Sequence, residues 1–73
     1  MNDLLIEIGR VVKVRDDLKV GKAYYNKEHT DFEVFTEDMV QTLGKEYMIL
    51  AIEDSGVILN WLGTVYTYDM LEH

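Results

Sequence analysis

The 73-residue chain contains no cysteine, which excludes disulfide bonds, and its two histidines are too few for the usual zinc sites. No segment approaches the roughly 20 consecutive apolar residues that a membrane-spanning helix needs. The apolar stretch at residues 4–6 ends at Glu7 and is too short for a secretory signal. From these absences we expect a cytoplasmic protein with no metal ion, no cofactor and no membrane contact.

Basic residues are scarce and unevenly placed. The chain has 14 aspartates and glutamates against 7 lysines and arginines, a net charge of −7, and no lysine or arginine follows Lys45. This balance disfavours general binding to nucleic-acid phosphates, so we do not expect direct DNA or RNA binding. Arg10, Lys13 and Arg15 could still form a local basic strip. The reverse case, an acidic surface that imitates a nucleic acid, also stays open.

The length allows one domain, which we place at residues 1–70. An apolar share of 48% is normal for a globular chain, but a core this small typically supplies only about 3–5 kcal/mol. The final residues, Leu71-Glu72-His73, have the sequence with which a vector-encoded polyhistidine tail begins. We therefore predict that residues 71–73 are a tag remnant.

A short α-helix is predicted at residues 37–43. Thr36 is a suitable N-cap, and Gly44 follows the last apolar residue and can close a helix with a positive φ. The predicted apolar stripe consists of Met39, Val40 and Leu43, which leaves Thr42 outside it. Two turns of helix are marginal in water, so packing against a sheet must hold them.

The strongest β-hairpin follows the helix directly. Residues 47–52 and 56–62 are rich in β-branched and aromatic side chains, and Asp54-Ser55-Gly56 suits a three-residue loop in which Gly56 has a positive φ. This loop places Glu53 opposite Val57 and Ile49 opposite Trp61. One face then carries Met48, Leu50, Ile52, Ile58 and Leu62, and the other carries Tyr47, Ile49, Ala51, Val57, Leu59 and Trp61. Because both faces are apolar, the hairpin is expected to be central.

The remaining chain predicts further short strands. Residues 10–15 alternate so that Val12 and Val14 share a face, with Leu18 and Val20 beyond them pointing back to the core. Tyr24 and Tyr25 begin a second strand or an extended loop arm, residues 26–31 form an exposed polar loop, and residues 32–35 lead into the helix. The last strand is expected at residues 64–68, before a closing helical turn. Five strands with one helix favour a small closed barrel.

Several motifs resemble a known group of proteins. They are GRVVKVRDDLKVGKAYY, then F-x-x-D-M-x-x-x-L-G-K-x-Y-x-I, the Asp-Ser-Gly hairpin and the closing YTYDML. The chain is similar in these to small phage and prophage proteins of Gram-positive bacteria, which are SH3-like barrels mostly of unknown function. The resemblance implies a mainly β, five-stranded SH3-like barrel with one short α-helix inserted before the central hairpin. It implies no catalytic residues.

The residues that could act in catalysis or bind a metal are better explained by their roles in turns, a loop and a helix cap. Nucleophilic catalysis needs a base within hydrogen-bond reach of the nucleophile, but Ser55 suits a hairpin turn and His29 a solvated loop. Three carboxylate pairs lack the regular spacing of a calcium loop and suit turns and a helix cap: Asp16-Asp17, Glu37-Asp38 and Glu53-Asp54. We therefore predict that the protein is not an enzyme.

Aromatic side chains are the one feature that points toward a function. The candidates for contact with a partner are Tyr24, Tyr25, Tyr47, Trp61, Tyr66 and Tyr68. Most of them could instead fill the core, and for Trp61 both alternatives stay open. We predict a phage or prophage accessory protein that binds a host or phage protein without catalysis. The alternative is an acidic nucleic-acid mimic that inhibits a host nucleic-acid-binding protein.

Overall fold

The computed structural model of the chain describes residues 4–61 and 63–73, and its regular structure is mainly β. Residues 1–3 of the predicted domain and Leu62 of the predicted hairpin lie outside the described residues. No helix within these ranges is long and apolar enough to cross a bilayer. In chain order the strands are β1 (Val11–Lys13), β2 (Ala23–Tyr25), β3 (Phe32–Val34), β4 (Glu46–Ile52), β5 (Val57–Leu59) and β6 (Val65–Tyr66). Two 3₁₀ helices span Glu37–Thr42 and Tyr68–Met70.

The strands form two antiparallel sheets. β1, β4, β5 and β6 lie side by side in that order, and β2 and β3 form a separate hairpin. A bridge between Val14 and Leu71 joins the end of the chain to the segment after β1. Within the described residues the sheets do not close into a barrel, and six strands stand where five were predicted. One reason is that residues 32–34, predicted as a lead-in to the helix, pair with β2.

The central hairpin is confirmed, but its predicted loop is wrong. The Glu53 N–H donates to the Gly56 carbonyl at 2.7 Å, so the loop contains only Asp54 and Ser55. Gly56 does not have the positive φ that the three-residue loop required. It is needed for space instead, because a Cβ there would lie 2.8 Å from the carbonyl carbon of Tyr66 and closer still to its oxygen.

The shorter loop moves the register of the hairpin by one residue. Ile52 lies opposite Val57, and a bulge after Ile49 shifts the pairing again, so that Ile49 lies opposite Leu59 and not opposite Trp61. A β-bulge adds one unpaired residue and changes which side chains share a face. The predicted cross-strand partners are therefore wrong. The predicted alternation along β4 is confirmed, because Met48, Leu50 and Ile52 are its exposed apolar residues, whereas Tyr47, Ile49 and Ala51 are more buried.

The helix before β4 begins and ends close to where it was predicted. Thr36 is the N-cap, with an extended backbone, and its N–H donates to the Met39 sulfur at 3.3 Å. Gly44 has a φ of 73°, as the predicted stop requires. The helix is 3₁₀ and not α, and its i→i+3 bonds include Met39 N–H to the Thr36 carbonyl at 3.0 Å.

The 3₁₀ geometry also corrects the predicted apolar stripe. Residues three apart lie on the same side of a 3₁₀ helix, so Met39 and Thr42 both point into the protein and are buried. Val40, which an α-helix would have placed on the core face, is 42% exposed. Leu43 is the C-cap and packs against the edge of the core. The buried Thr42 is thus a consequence of the helix type.

The core contains residues from across the described chain, from Val12 to Leu71. The predicted alternation after residue 10 is confirmed at Val12 and Val14, and Leu18 is buried as expected, but Val20 is 50% exposed. Val20 lies in the turn at residues 20–21, outside the strands. The buried apolar residues are Val12, Val14, Leu18, Tyr24, Phe35, Met39, Ile49, Val57, Leu59, Tyr66, Met70 and Leu71.

Leu71 belongs to this core, although residues 71–73 were predicted to be a tag remnant. Its side chain is completely buried, and its backbone bridges Val14. Glu72 continues the contact, because its N–H donates to the Lys13 carbonyl at 2.8 Å. Whatever the origin of these residues, Leu71 takes part in the packing.

Candidate functional site

A cleft of about 360 Å³ lies between the tips of the β2–β3 and β4–β5 hairpins. Residues 26–28 contribute from one tip and residues 53–56 from the other. The apolar and aromatic part of the lining consists of Ile6, Ile52, Val57, Tyr66, Tyr68 and Leu71. A concave surface with an apolar lining and a few polar groups is the usual form of a binding site.

The tip of the β2–β3 hairpin is built around Asn26. Its Oδ1 accepts from the N–H groups of Thr30 and Asp31 at 2.9 and 3.2 Å, and its Nδ2 donates to the Thr30 hydroxyl at 3.0 Å. Asn26 is buried, whereas the rest of the predicted polar loop is exposed. These bonds hold the backbone of the tip, and with it Lys27 and Glu28, beside the cleft.

The tip of the β4–β5 hairpin is tied to the neighbouring sheet by Ser55. Its hydroxyl donates to Glu33 Oε2 at 3.3 Å, which connects the turn to β3. Ser55 is a turn residue, as predicted. His29 lies in the other hairpin and stacks on Tyr25, with ring centroids 5.3 Å apart. In the described chain no hydrogen bond joins Ser55 to His29, so these two groups do not form a nucleophile and base pair.

Two of the six predicted aromatic residues line the cleft. Tyr66 is completely buried, and Tyr68 is partly buried at the start of the second 3₁₀ helix. The Tyr68 hydroxyl accepts from the Leu4 N–H at 3.1 Å. Its ring contacts the His73 ring edge-on, with centroids 4.2 Å apart. These contacts fix the position of the Tyr68 ring on the wall of the cleft.

The other four aromatic residues lie elsewhere. Tyr24 is buried, and its hydroxyl accepts from the Lys19 N–H at 2.9 Å. Tyr47 is partly buried against the core, and Trp61 is partly buried in the turn after β5. Tyr25 is 40% exposed. The structure therefore does not bring the six residues together on one surface.

Tyr66 connects the cleft to the interior. Its hydroxyl and that of Thr42 are 3.0 Å apart, and the Thr42 hydroxyl also lies 2.7 Å from the Met39 carbonyl oxygen, to which it donates. Because Thr42 gives its proton to that carbonyl, the Tyr66 hydroxyl is the donor in the first bond. Burial raises the pKa of Tyr66.

Replacing Tyr66 by phenylalanine should change the dependence of stability on pH. The raised pKa means that the unfolded chain loses its proton first, so the contribution of Tyr66 is present below pH about 10 and is lost as the pH rises through the folded pKa. Between pH 7 and pH 10.5 the free energy of unfolding in urea should fall less for Tyr66→Phe than for the wild type. At pH 7 the variant should lose about 1 kcal/mol with the hydrogen bond.

The control for this measurement is Tyr25→Phe, which removes a hydroxyl from an exposed tyrosine. It should retain the wild-type loss of stability between the two pH values. An equal loss in Tyr66→Phe and in the wild type would contradict the raised pKa.

The basic residues of the proposed strip all make ion pairs. Arg10 lies 3.9 Å from Glu7, Lys13 lies 3.6 Å from Glu72, and Arg15 lies 2.9 Å from Asp17. The guanidinium of Arg15 donates to both carboxylate oxygens of Asp17, and this hydrogen bonding lowers the pKa of the Asp17 carboxyl. A phosphate backbone would have to compete with these carboxylates for the same cations.

Sequence reasoning missed most of the cleft. Asn26 was assigned to an exposed loop, although asparagine commonly organises turns through its side chain, and that tendency could have identified the tip. No sequence pattern predicts that Ile6 and Leu71 line the cleft, because they reach it only through tertiary packing. Glu53 and Asp54 were assigned to a turn, where they are, and they also line the cleft. Among the described residues no three carboxylate or histidine side chains are grouped as metal ligands.

Comparisons with protein-family models, with curated proteins and with solved structures each found no match.

Proposed function

We propose that the protein is a non-enzymatic protein-binding module and that the cleft between the two hairpin tips is its binding site. The observation that carries the proposal is the cleft itself, which has an apolar lining and includes Tyr66 and Tyr68. Its volume of about 360 Å³ is enough for several side chains of a partner and falls in the range of binding pockets. An accessory role in a phage or prophage is part of the same proposal.

The order of strand pairing supports an SH3-like fold as the finer description. β1 pairs with β4, and β4, β5 and β6 continue as an antiparallel meander. After the 3₁₀ helix at Tyr68–Met70, Leu71 returns to Val14. A meander whose last segment returns to the first strand is the arrangement from which such a barrel is built. The long connection from β1 to β4 contains the β2–β3 hairpin.

Exposure around the cleft also supports binding there. Ile52 lines the cleft and is 51% exposed, although it lies at the end of a central strand. Its neighbour on β4, Leu50, is 50% exposed but does not line the cleft. Association is favoured when apolar surface of this kind is removed from water. The two residues form a matched pair for testing which surface is used.

The test is a selection from a random library of twelve-residue peptides against the immobilised protein. The affinities of the enriched peptides are then measured for the wild type, Ile52→Glu and Leu50→Glu. We expect Ile52→Glu to weaken binding at least tenfold, because it places a charge in the apolar lining, and Leu50→Glu to have little effect. Amide shifts in NMR spectra should map to residues 26–28, 52–57 and 66–71.

Two outcomes would overturn the proposal. One is a selection that enriches no peptide, and the other is binding that Leu50→Glu weakens as much as Ile52→Glu. The acidic nucleic-acid mimic predicts a different pattern. Its complexes with a nucleic-acid-binding protein should weaken steeply with added salt and should not respond to Ile52→Glu.

A further inference from the structure

A positive charge of the chain itself already occupies the cleft. The Lys27 ammonium lies 5.6 Å from the centroid of the Tyr68 ring, which is within the distance at which a cation is attracted to an aromatic face. Both residues line the cleft. The hydrogen bond from Leu4 and the contact with His73 hold the Tyr68 ring in place. The face of this ring is therefore a formed site for a cation.

Three carboxylates line the same cleft. Glu28, Glu53 and Asp54 line the cleft and are exposed, and Lys27 is the single basic residue of the lining. The ion pairs of the described ranges involve other carboxylates, namely Glu7, Asp17 and Glu72. Three carboxylates against one ammonium make the mouth of the cleft negative. Such a field attracts a cationic ligand and raises its local concentration.

We propose that the cleft binds a segment of another protein in which a lysine or arginine stands beside apolar residues, and that this cation displaces Lys27 from the Tyr68 ring. This inference rests on the proposed function of the cleft. Ile6 and Ile52 receive the apolar side chains, while the carboxylates and the ring receive the cation. Lys27 covers the ring in the free protein and competes with the ligand for it.

The probe is the peptide acetyl-Leu-Arg-Leu-Arg-Leu-amide, titrated into the ¹⁵N-labelled protein. Lys27→Gln removes the competitor and should raise the affinity about two- to fivefold, the equivalent of an exposed cation–π contact. Lys22→Gln is the matched control, because it removes the same charge from a lysine that lies 5.5 Å from another ring, that of Tyr24, outside the cleft. Its effect on affinity should be smaller.

Two variants of Tyr68 separate the effect of its aromatic face from the effect of the volume of its side chain. Tyr68→Leu should remove most of the advantage of the arginine peptide over its glutamine counterpart, acetyl-Leu-Gln-Leu-Gln-Leu-amide. Tyr68→Phe keeps an aromatic face and should retain a clear preference for arginine. Circular dichroism of each variant checks that the fold is intact.

The outcomes distinguish this inference from the proposed function. If both peptides bind the cleft equally, or if Lys27→Gln raises the affinity no more than Lys22→Gln, the inference is wrong and the protein-binding cleft stands. If neither peptide binds but library peptides do, the ligand class is wrong. If the shifts map to Val11, Met48 and Leu50, outside the cleft, both proposals fail.

Discussion

Replacing Gly56 by alanine is expected to unfold most of the protein. A Cβ at this position would lie 2.8 Å from the Tyr66 carbonyl carbon and 2.9 Å from the Thr67 Cα, and both are backbone atoms that cannot rotate away. Overpacking in a core costs about 1–3 kcal/mol, and more when backbone must move. A core of this size supplies only about 3–5 kcal/mol, so the folded state should lose most of its population. Urea unfolding followed by circular dichroism measures the change.

Gly44→Ala is the matched control for this result. Gly44 has a φ of 73°, but a Cβ there would meet only the Asp16 Cβ, at an ordinary distance of 3.5 Å. The substitution should cost about 1–2 kcal/mol, because a side chain is strained at positive φ. A loss for Gly56→Ala no larger than that for Gly44→Ala would mean that β5 and β6 can separate without breaking the core.

Replacing Leu71 by alanine is expected to cost about 2–5 kcal/mol, the range for truncating a fully buried leucine. Leu71 packs in the core and bridges Val14, so the change leaves a cavity between the end of the chain and the sheet. Thermal unfolding should show a melting temperature well below that of the wild type. A chain that ends at Met70 should be destabilised at least as much, because it also loses the bridge.

Two controls accompany this prediction. Leu5→Ala removes the same atoms from a side chain that is 50% exposed and should cost much less. A chain that ends at Leu71 loses the exposed Lys13–Glu72 ion pair, which contributes about 0–1 kcal/mol, and one backbone bond from Glu72. Equal stabilities of Leu71→Ala and Leu5→Ala would contradict the prediction and would mean that the packing of Leu71 does not stabilise the fold.

The cleft differs from the binding surface that the tyrosine content suggested. The aromatic residues were grouped by type, but burial separates them, because Tyr24 has a hydrogen-bond partner inside the protein and Tyr66 has one in Thr42. Tyr25 remains exposed on the β2–β3 hairpin, where its ring stacks on that of His29 and lies at a tilt to that of Phe32. Composition indicates how much aromatic surface a chain has, whereas packing decides which part of it a partner can reach.

The sequence by itself determined the local elements. Alternation identified the buried residues Val12, in β1, and Val14, directly after it, and the strand propensities identified the central hairpin. Thr36 and Gly44 marked the limits of the helix within one residue or so. These signals are readable because caps, turns and alternation depend on interactions between residues only a few positions apart.

The tertiary structure decided the register, the helix type and the cleft. Gly56 is compatible with either loop when β5 is considered alone, and only the folded chain shows that it lies against the backbone of Tyr66 and Thr67, where a Cβ does not fit. The 3₁₀ geometry turns Thr42 inward, where its hydroxyl finds a partner in that of Tyr66, 24 positions away. The cleft likewise needs residues 26–28, 53–56 and 68–71 to be brought together. Contacts across such separations depend on the whole packed chain, and no local pattern records them.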